Sequence, residues 1–114
     1  MSAKNTVILI NRKGMGEADP QLQMLLLETY LRTINEASEK PREICFYAEG
    51  VYLVVAGSSV IHLLQRLESQ GVRLTACSTC LNFYGVMDQV AVGDKGTMVA
   101  IVDAQTRADQ VITL

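Results

Sequence analysis

Two cysteines three positions apart, Cys77 and Cys80, are the residues of this chain best suited to do chemistry. They stand in the run Cys77-Ser78-Thr79-Cys80, after a short apolar stretch holding Val72, Leu74 and Ala76 and before a segment of helical pattern at 81–86. A thiol between a strand end and a helix start lies in the field of backbone N–H groups that have no partner inside the helix. Those groups favour the thiolate, the reactive form of cysteine. The expected chemistry is therefore nucleophilic sulfur, with Cys77 as the attacking thiol and Cys80 as its helper or resolving partner. The competing reading is a pair of ordinary cysteines packed at a strand–helix joint, because a single C-x-x-C is only moderately specific.

Other residues are weighed against that pair. Arg12 and Lys13 are expected to bring positive charge near Cys77 and depress its pKa, with a solvated loop as the alternative. Glu49, after the second strand, is placed to orient a partner or accept a proton, although an exposed loop carboxylate is commoner. Asn82, Phe83 and Tyr84 are expected to wall the thiols; the aromatic pair serves equally as core or subunit contact. Gly14-Met15-Gly16 is a weak phosphate-loop signal that lacks the Ser/Thr-rich run of a flavin phosphate site and fails the dinucleotide fingerprint. FMN or a nucleotide is a minor alternative, and no cofactor is expected. Cys45, between Ile44 and Phe46, reads as a buried small apolar residue. His62 lies opposite the apolar face of its helix and reads as solvated. Structural zinc takes four ligands, and nothing pairs Cys45 with His62, so no metal is expected. With a single outward-facing histidine, hydrolase chemistry is discounted.

The bulk composition bounds the rest. A length of 114 residues is expected to form one domain, 1–114. Hydrophobic residues make up 49% and charged residues 19%, against roughly 25% charged in an average soluble domain. The deficit suggests apolar surface covered by another subunit. A net charge of −2 and a pI of about 5.3 offer no basic footprint for nucleic acid. The longest apolar run, 51–56, is far too short to span a bilayer. Val7-Ile8-Leu9-Ile10 after one lysine reads as a strand and not a secretory signal, and three cysteines without such a signal point to a reducing cytoplasm.

The elements that must position the thiols alternate strand and helix. Strands are expected at 6–10, 43–47, 72–76, 90–92 and 111–114, with 93–96 a turn. Helices are expected at 20–38, capped by Asp19 with Pro20 at its first position, at 58–70, stopped by Gly71, at 81–86, and at 97–107 with Met98, Ile101 and Val102 inward. In the first long helix, Leu22, Met24, Leu26, Leu27, Tyr30, Leu31 and Ile34 cover about half the circumference, more than one sheet requires. The pattern predicts an α/β three-layer sandwich with a five-stranded, mainly parallel sheet ordered 2-1-3-4-5. In that order the loop beginning at Asn11 faces Cys77 at the switch point, with the Glu49 loop nearby.

Two stretches resemble a known family. Phe46-Tyr47-Ala48-Glu49-Gly50-Val51-Tyr52 resembles the second-strand turn of DsrE-like sulfur-relay proteins, and Cys77, followed eight residues later by Gly85, resembles that family's active-cysteine segment. The run Cys77-Ser78-Thr79-Cys80-Leu81-Asn82-Phe83-Tyr84-Gly85 is similar to the DsrE-like C-terminal domain of YedF proteins, which are associated with selenium metabolism. The resemblance implies a flavodoxin-like sheet, assembly into homotrimers or homohexamers, and Cys77 as the sulfur-carrying cysteine. Cys80 is not general to the wider family. YedF proteins carry a TusA-like domain ahead of this one; none is found in these 114 residues, so a separate TusA-like carrier or another sulfur-relay protein is the implied partner. The expected function is a sulfurtransferase or sulfur carrier passing persulfide sulfur through Cys77. The alternatives are a non-enzymatic oligomeric binding module and a Cys77/Cys80 thiol redox sensor.

Overall fold

Ile44, Cys45 and Phe46 are wholly buried, which dictates where their strand must lie. The computed structural model describes residues 5–114. Its strands are β1 (Thr6–Ile10), β2 (Glu43–Phe46), β3 (Arg73–Cys77), β4 (Asp94–Gly96) and β5 (Gln110–Thr113). Its helices are α1 (Pro20–Glu36), α2 (Ile61–Ser69), α3 (Ser78–Phe83) and α4 (Met98–Arg107), with 3₁₀ turns at Ala48–Val54 and Met87–Gln89. The five strands form one parallel sheet ordered β4-β3-β2-β1-β5.

That order corrects the expected 2-1-3-4-5. β2 lies between β1 and β3, so β1 and β3 are not neighbours. An edge strand exposes one row of backbone groups and suits polar, short sequences. β4 is the three-residue Asp94-Lys95-Gly96, and β5 is largely exposed, whereas every residue of β2 is buried. The apolar strand goes inside and the polar ones to the edges. The steps β1→β2→β3→β4 then run one way, and right-handed crossovers place α1 and α2 together on one face. The return to β5 lays α4 across the other. Tyr30 and Ile34 of α1 accordingly line one cavity with Ile8 and Ile112, while Ala100 and Ala104 of α4 line another with Val7.

Local signals explain most boundaries. Asp19 caps α1 by accepting the Gln21 N–H at 2.9 Å, with Pro20 in the first turn. Thr97 caps α4 by accepting the Ala100 N–H at 3.2 Å. Buried Asn35 ties α1 to α2, donating to the Leu63 carbonyl at 3.2 Å and accepting from Gln70 at 2.8 Å. Four expectations are revised. The fourth strand is Asp94–Gly96 and not 90–92, because Val90 bridges antiparallel to Val55 and the Ala91 N–H bonds the Val54 carbonyl at 2.8 Å. α2 begins at Ile61, after a turn in which Ser58 Oγ accepts the Val60 N–H at 3.3 Å. α3 begins at Ser78, which makes Cys77 its N-cap and puts Cys80 inside it. Of the α4 residues expected inward, only Ile101 is buried; Met98 and Val102 are half exposed. The surplus apolar face of α1 is present, with Leu22, Leu25 and Leu26 open to solvent. No described helix is long and apolar enough to cross a membrane.

One close approach shapes the edge where the strands end. Gly50 packs on the end of β1 so tightly that a Cβ there would overlap the Ile10 carbonyl oxygen. The chain is folded back by the Tyr47 N–H bonding the same oxygen at 3.1 Å and by Ala48 in the left-handed region at φ 49°. A non-glycine residue in that region costs about 1–2 kcal/mol. Gly50→Ala is therefore expected to destabilise the fold by about 3 kcal/mol, whereas Ala48→Gly leaves stability unchanged or raises it by up to about 1 kcal/mol. Denaturant midpoints of the two variants against the parent chain check both.

Candidate functional site

Three loops meet above the C-terminal ends of the strands. The 3₁₀ turn Ala48–Val54 occupies the middle, because it follows the central strand β2. It touches the loop after β1 on one side and α3 on the other, so the two segments expected to face each other are bridged by it.

The thiols lie on the α3 side. Cys77 ends β3 at the rim position expected, and its side chain is only 1% exposed. Cys80, one helical turn on, is partly exposed, and its thiol is near enough to that of Cys77 to be pushed up by it. The Ala48 N–H donates to Cys80 Sγ at 3.2 Å. Burial is the main force pushing the Cys80 thiol up, and the Cys77 thiol adds to it; the Ala48 N–H pulls the other way by favouring the charged sulfur. The left-handed conformation of Ala48 is what turns this amide toward the helix.

The expected cations do not reach the thiols. Arg12 is used inside its own loop, with Nη1 donating to the Gly16 carbonyl at 2.9 Å and Nε to Asn11 Oδ1 at 3.4 Å. Gln23 of α1 donates to the same carbonyl at 2.6 Å, and its own carbonyl accepts the Met15 N–H at 3.0 Å. The Gly14-Met15-Gly16 loop thus closes on α1, with the Met15 amide already bonded. Lys13 reaches the middle turn instead. Its ammonium lies 4.0 Å from the Glu49 carboxylate and 4.4 Å from the centre of the Tyr52 ring. Both members of the ion pair are well exposed, so the pair itself contributes little stability. The cation–π contact and the ion pair together fix where the ammonium sits.

From Tyr52 the contacts run on to α3. Its ring centre is 4.9 Å from that of Tyr84, and Phe83 meets Tyr84 edge-on at 5.3 Å. The Tyr84 phenol is pushed up by desolvation first and then by the Glu49 carboxylate, with Tyr52 and Cys80 adding to it. Glu49, Tyr52 and Cys80 are therefore all near enough to act on this hydroxyl through their charge. Asn82 is exposed, and its backbone carbonyl closes α3 by accepting the Gly85 N–H at 3.1 Å. Phe83 stands 83% exposed beside the pair. Of the expected site residues, Cys77, Cys80, Glu49 and Tyr84 are brought together, Lys13 joins them through Glu49, Asn82 lies on the rim, and Arg12 is elsewhere. Ala48 and Tyr52 were missed. Tyr52 lies four residues beyond Ala48 in a 3₁₀ turn without periodicity, and the role of Ala48 belongs to its backbone, so neither residue type signals it.

Cys45 and His62 behave as read. Cys45 is buried, donates to Glu43 Oε2 at 3.6 Å, and has its thiol pushed up to about 12 by burial first and the Glu43 carboxylate second. His62 is exposed. Among the described residues no group of three or more His, Cys, Asp or Glu side chains is placed to hold a metal ion.

This five-stranded parallel sheet has relatives. The DsrE/DsrF-like family matches residues 5–114. The chain belongs to the DsrE/DsrF-like family. Among solved structures, this DsrE/DsrF-like chain is similar to a protein of unknown function, MTH1491, from Methanobacterium thermoautotrophicum, at 25% identity and a TM-score of 0.73, covering 98% of this chain and 100% of that one. The ychN protein from E. coli is similar at 19% identity and a TM-score of 0.71, again covering 98% and 100%. A conserved protein of unknown function, BT1422, from Bacteroides thetaiotaomicron is similar at 12% identity and 0.70, covering 96% and 95%. No curated protein matches the chain in sequence. The DsrE/DsrF-like sheet with helices on both faces agrees with these folds.

The thiols should separate in alkylation of the native chain. Cys80 is expected to react first, with a rate still climbing above the ordinary thiol pKa of about 8.5, because a raised pKa keeps it protonated at neutral pH. Cys77→Ala removes the lesser raising cause and shifts that profile to lower pH, without reaching that of a free thiol. Cys45, with its thiol near 12, stays unmodified. Peptide mapping after timed iodoacetamide exposure across pH 7 to 10 measures all three.

Proposed function

We propose that this DsrE/DsrF-like chain is a sulfur carrier or sulfurtransferase in which Cys77 holds sulfane sulfur as a persulfide and Cys80 is the thiol through which that sulfur comes and goes. The observation that carries the reading is the graded burial of two adjacent thiols. A persulfide is a labile group, and a site closed to water shields it from adventitious thiols. A partner, however, cannot reach a sulfur atom that is closed off, and Cys80 is the thiol of the pair that is open in part to solvent.

The steps balance without an added oxidant. The Cys80 thiolate attacks the outer sulfur of a donor persulfide, taking it as Cys80–S–SH and releasing the donor thiolate. The Cys77 thiolate then attacks that outer sulfur, becoming Cys77–S–SH as Cys80 is returned to thiolate. Delivery to an acceptor thiolate runs the same two exchanges in reverse. The Ala48 N–H supports the transient Cys80 thiolate in each direction, since a hydrogen bond to a charged sulfur lowers its cost. Lys13, Glu49, Asn82, Tyr84 and the exposed Phe83 form the rim on which a partner is oriented.

The run Cys77 to Gly85 supports kinship with the YedF-type DsrE-like domain, and a TusA-like carrier is the proposed partner. A homotrimer or homohexamer is proposed on the exposed apolar faces of α1 and α4, where Leu25 is 61% and Val99 79% exposed. The contact between the two thiols also favours a second reading, a redox sensor closing a Cys77–Cys80 disulfide.

Intact-mass analysis after incubation with a cysteine desulfurase and cysteine tests the carrier. A gain of one sulfur is expected, held on Cys77; in Cys77→Ser the added sulfur stays on Cys80 and is stripped by a brief exposure to free thiol that leaves the parent adduct in place, and in Cys80→Ser loading slows by at least about tenfold, a change of about 1.4 kcal/mol in barrier. Absence of any sulfur adduct with several donors, together with loss of two hydrogens under mild oxidant, would replace the carrier by the sensor. Light scattering tests the assembly, and a stable monomer counts against it.

A further inference from the structure

The sheet has a second polar site at its opposite end, where the strands begin. There α4 leaves a cavity of about 160 Å³ over the starts of β1, β2 and β3, several times the ~30 Å³ share of one liquid water. Its floor is Glu43, a carboxylate only 8% exposed. One oxygen of Glu43 accepts from Thr75 Oγ1 at 2.7 Å and from Cys45 at 3.6 Å. Among the described residues no cation lies within salt-bridge distance of it. A buried carboxylate with no cation in direct contact is costly.

Asn5, at the wall, adds a second unmet acceptor. Its Oδ1 is buried and has no hydrogen-bond partner among the described residues. The side chain cannot simply turn over, because Nδ2 is committed to the Arg107 carbonyl at 3.2 Å while the Asn5 N–H holds Asp109 at 2.9 Å. The mouth has the opposite character. Arg42 and Arg73 line it with exposed guanidinium groups, and Arg107 is held beside them by Asp103 at 3.0 Å. Val7, Ala100 and Ala104 complete the cavity with an apolar wall.

These groups ask for a ligand of mixed charge. A simple anion would meet the arginines but also the buried Glu43 carboxylate. A simple cation would answer Glu43 and Asn5 and leave the guanidinium groups facing it. We propose that this cavity binds a small zwitterion, an α-amino acid with a short uncharged side chain. Its ammonium donates to Glu43 and Asn5 Oδ1, its carboxylate accepts from Arg42 and Arg73, and its side chain lies on Val7, Ala100 and Ala104. The site is separate from the thiol pair, which stands at the far end of β3, and the proposal does not rest on the sulfur-carrier reading.

An NMR titration of the full chain with L-alanine tests it; that probe has no thiol and cannot react at Cys77 or Cys80. Saturable shifts at the amides of Asn5, Glu43, Arg73 and Ala104 are expected at millimolar or lower concentration. Acetate, ethylammonium and inorganic phosphate, titrated in parallel, are expected to bind at least about tenfold more weakly, since each lacks one of the two charge-assisted contacts. Ala104→Leu fills the cavity and abolishes the shifts. Arg73→Ala, an exposed substitution that leaves the core untouched, weakens binding by about tenfold. The proposal is overturned if L-alanine gives no saturable shift, if phosphate or acetate binds these residues as tightly, or if Arg73→Ala binds L-alanine like the parent chain.

Discussion

The contact between Gly50 and the Ile10 carbonyl oxygen is the constraint on which the upper edge of this sheet depends. With no Cβ at position 50, the chain leaving β2 can fold flat across the end of β1. That places the turn Ala48–Val54 between its neighbours and turns the Ala48 amide toward Cys80. The strained backbone of Ala48 is held in place by this packing. Lys13, Glu49, Tyr52 and Tyr84 take their positions from the same turn. A structural glycine thus organises a polar rim to which it contributes no side chain.

The electrostatics of the thiol pair follow from packing more than from nearby cations. Burial raises the Cys80 thiol and one backbone amide opposes it. The lysine expected to stabilise a thiolate is held by a carboxylate and an aromatic face. Chemistry at such a site depends on shielding and on partner contact. In the proposed function the partly exposed thiol is the one that meets a partner and the buried one holds what is delivered, with the exposed Phe83 on the same helix.

The α4 face of the sheet carries polar features at both ends. At one end are the thiols; at the other the buried Glu43, Thr75 and Cys45 network lies beneath charged residues of α4 and the strand starts. Strand alternation explains why these polar side chains share a face, since Arg73, Thr75 and Cys77 are two residues apart along β3. Cys45, in the middle of that face, has its thiol pushed up by burial first and by Glu43 second.

Much of this was legible in the residues alone. Asp19-Pro20 and Gly71 mark helix ends through capping and backbone chemistry, which act over a few residues. The β-branched run at 6–10 and the alternation of strand and helix imply a parallel sheet, and the C-x-x-C run locates the thiols. Strand order was not legible, because it depends on competition among strands for the sheet interior, and only the whole fold shows that β2 wins it and Asp94-Lys95-Gly96 does not. The exposure of Cys77, the destination of Lys13 and the role of the Ala48 amide were likewise decided by tertiary packing. Local sequence determines which backbone conformations are available and which side chains can react; long-range contacts decide which atoms then meet, and at what depth below the surface.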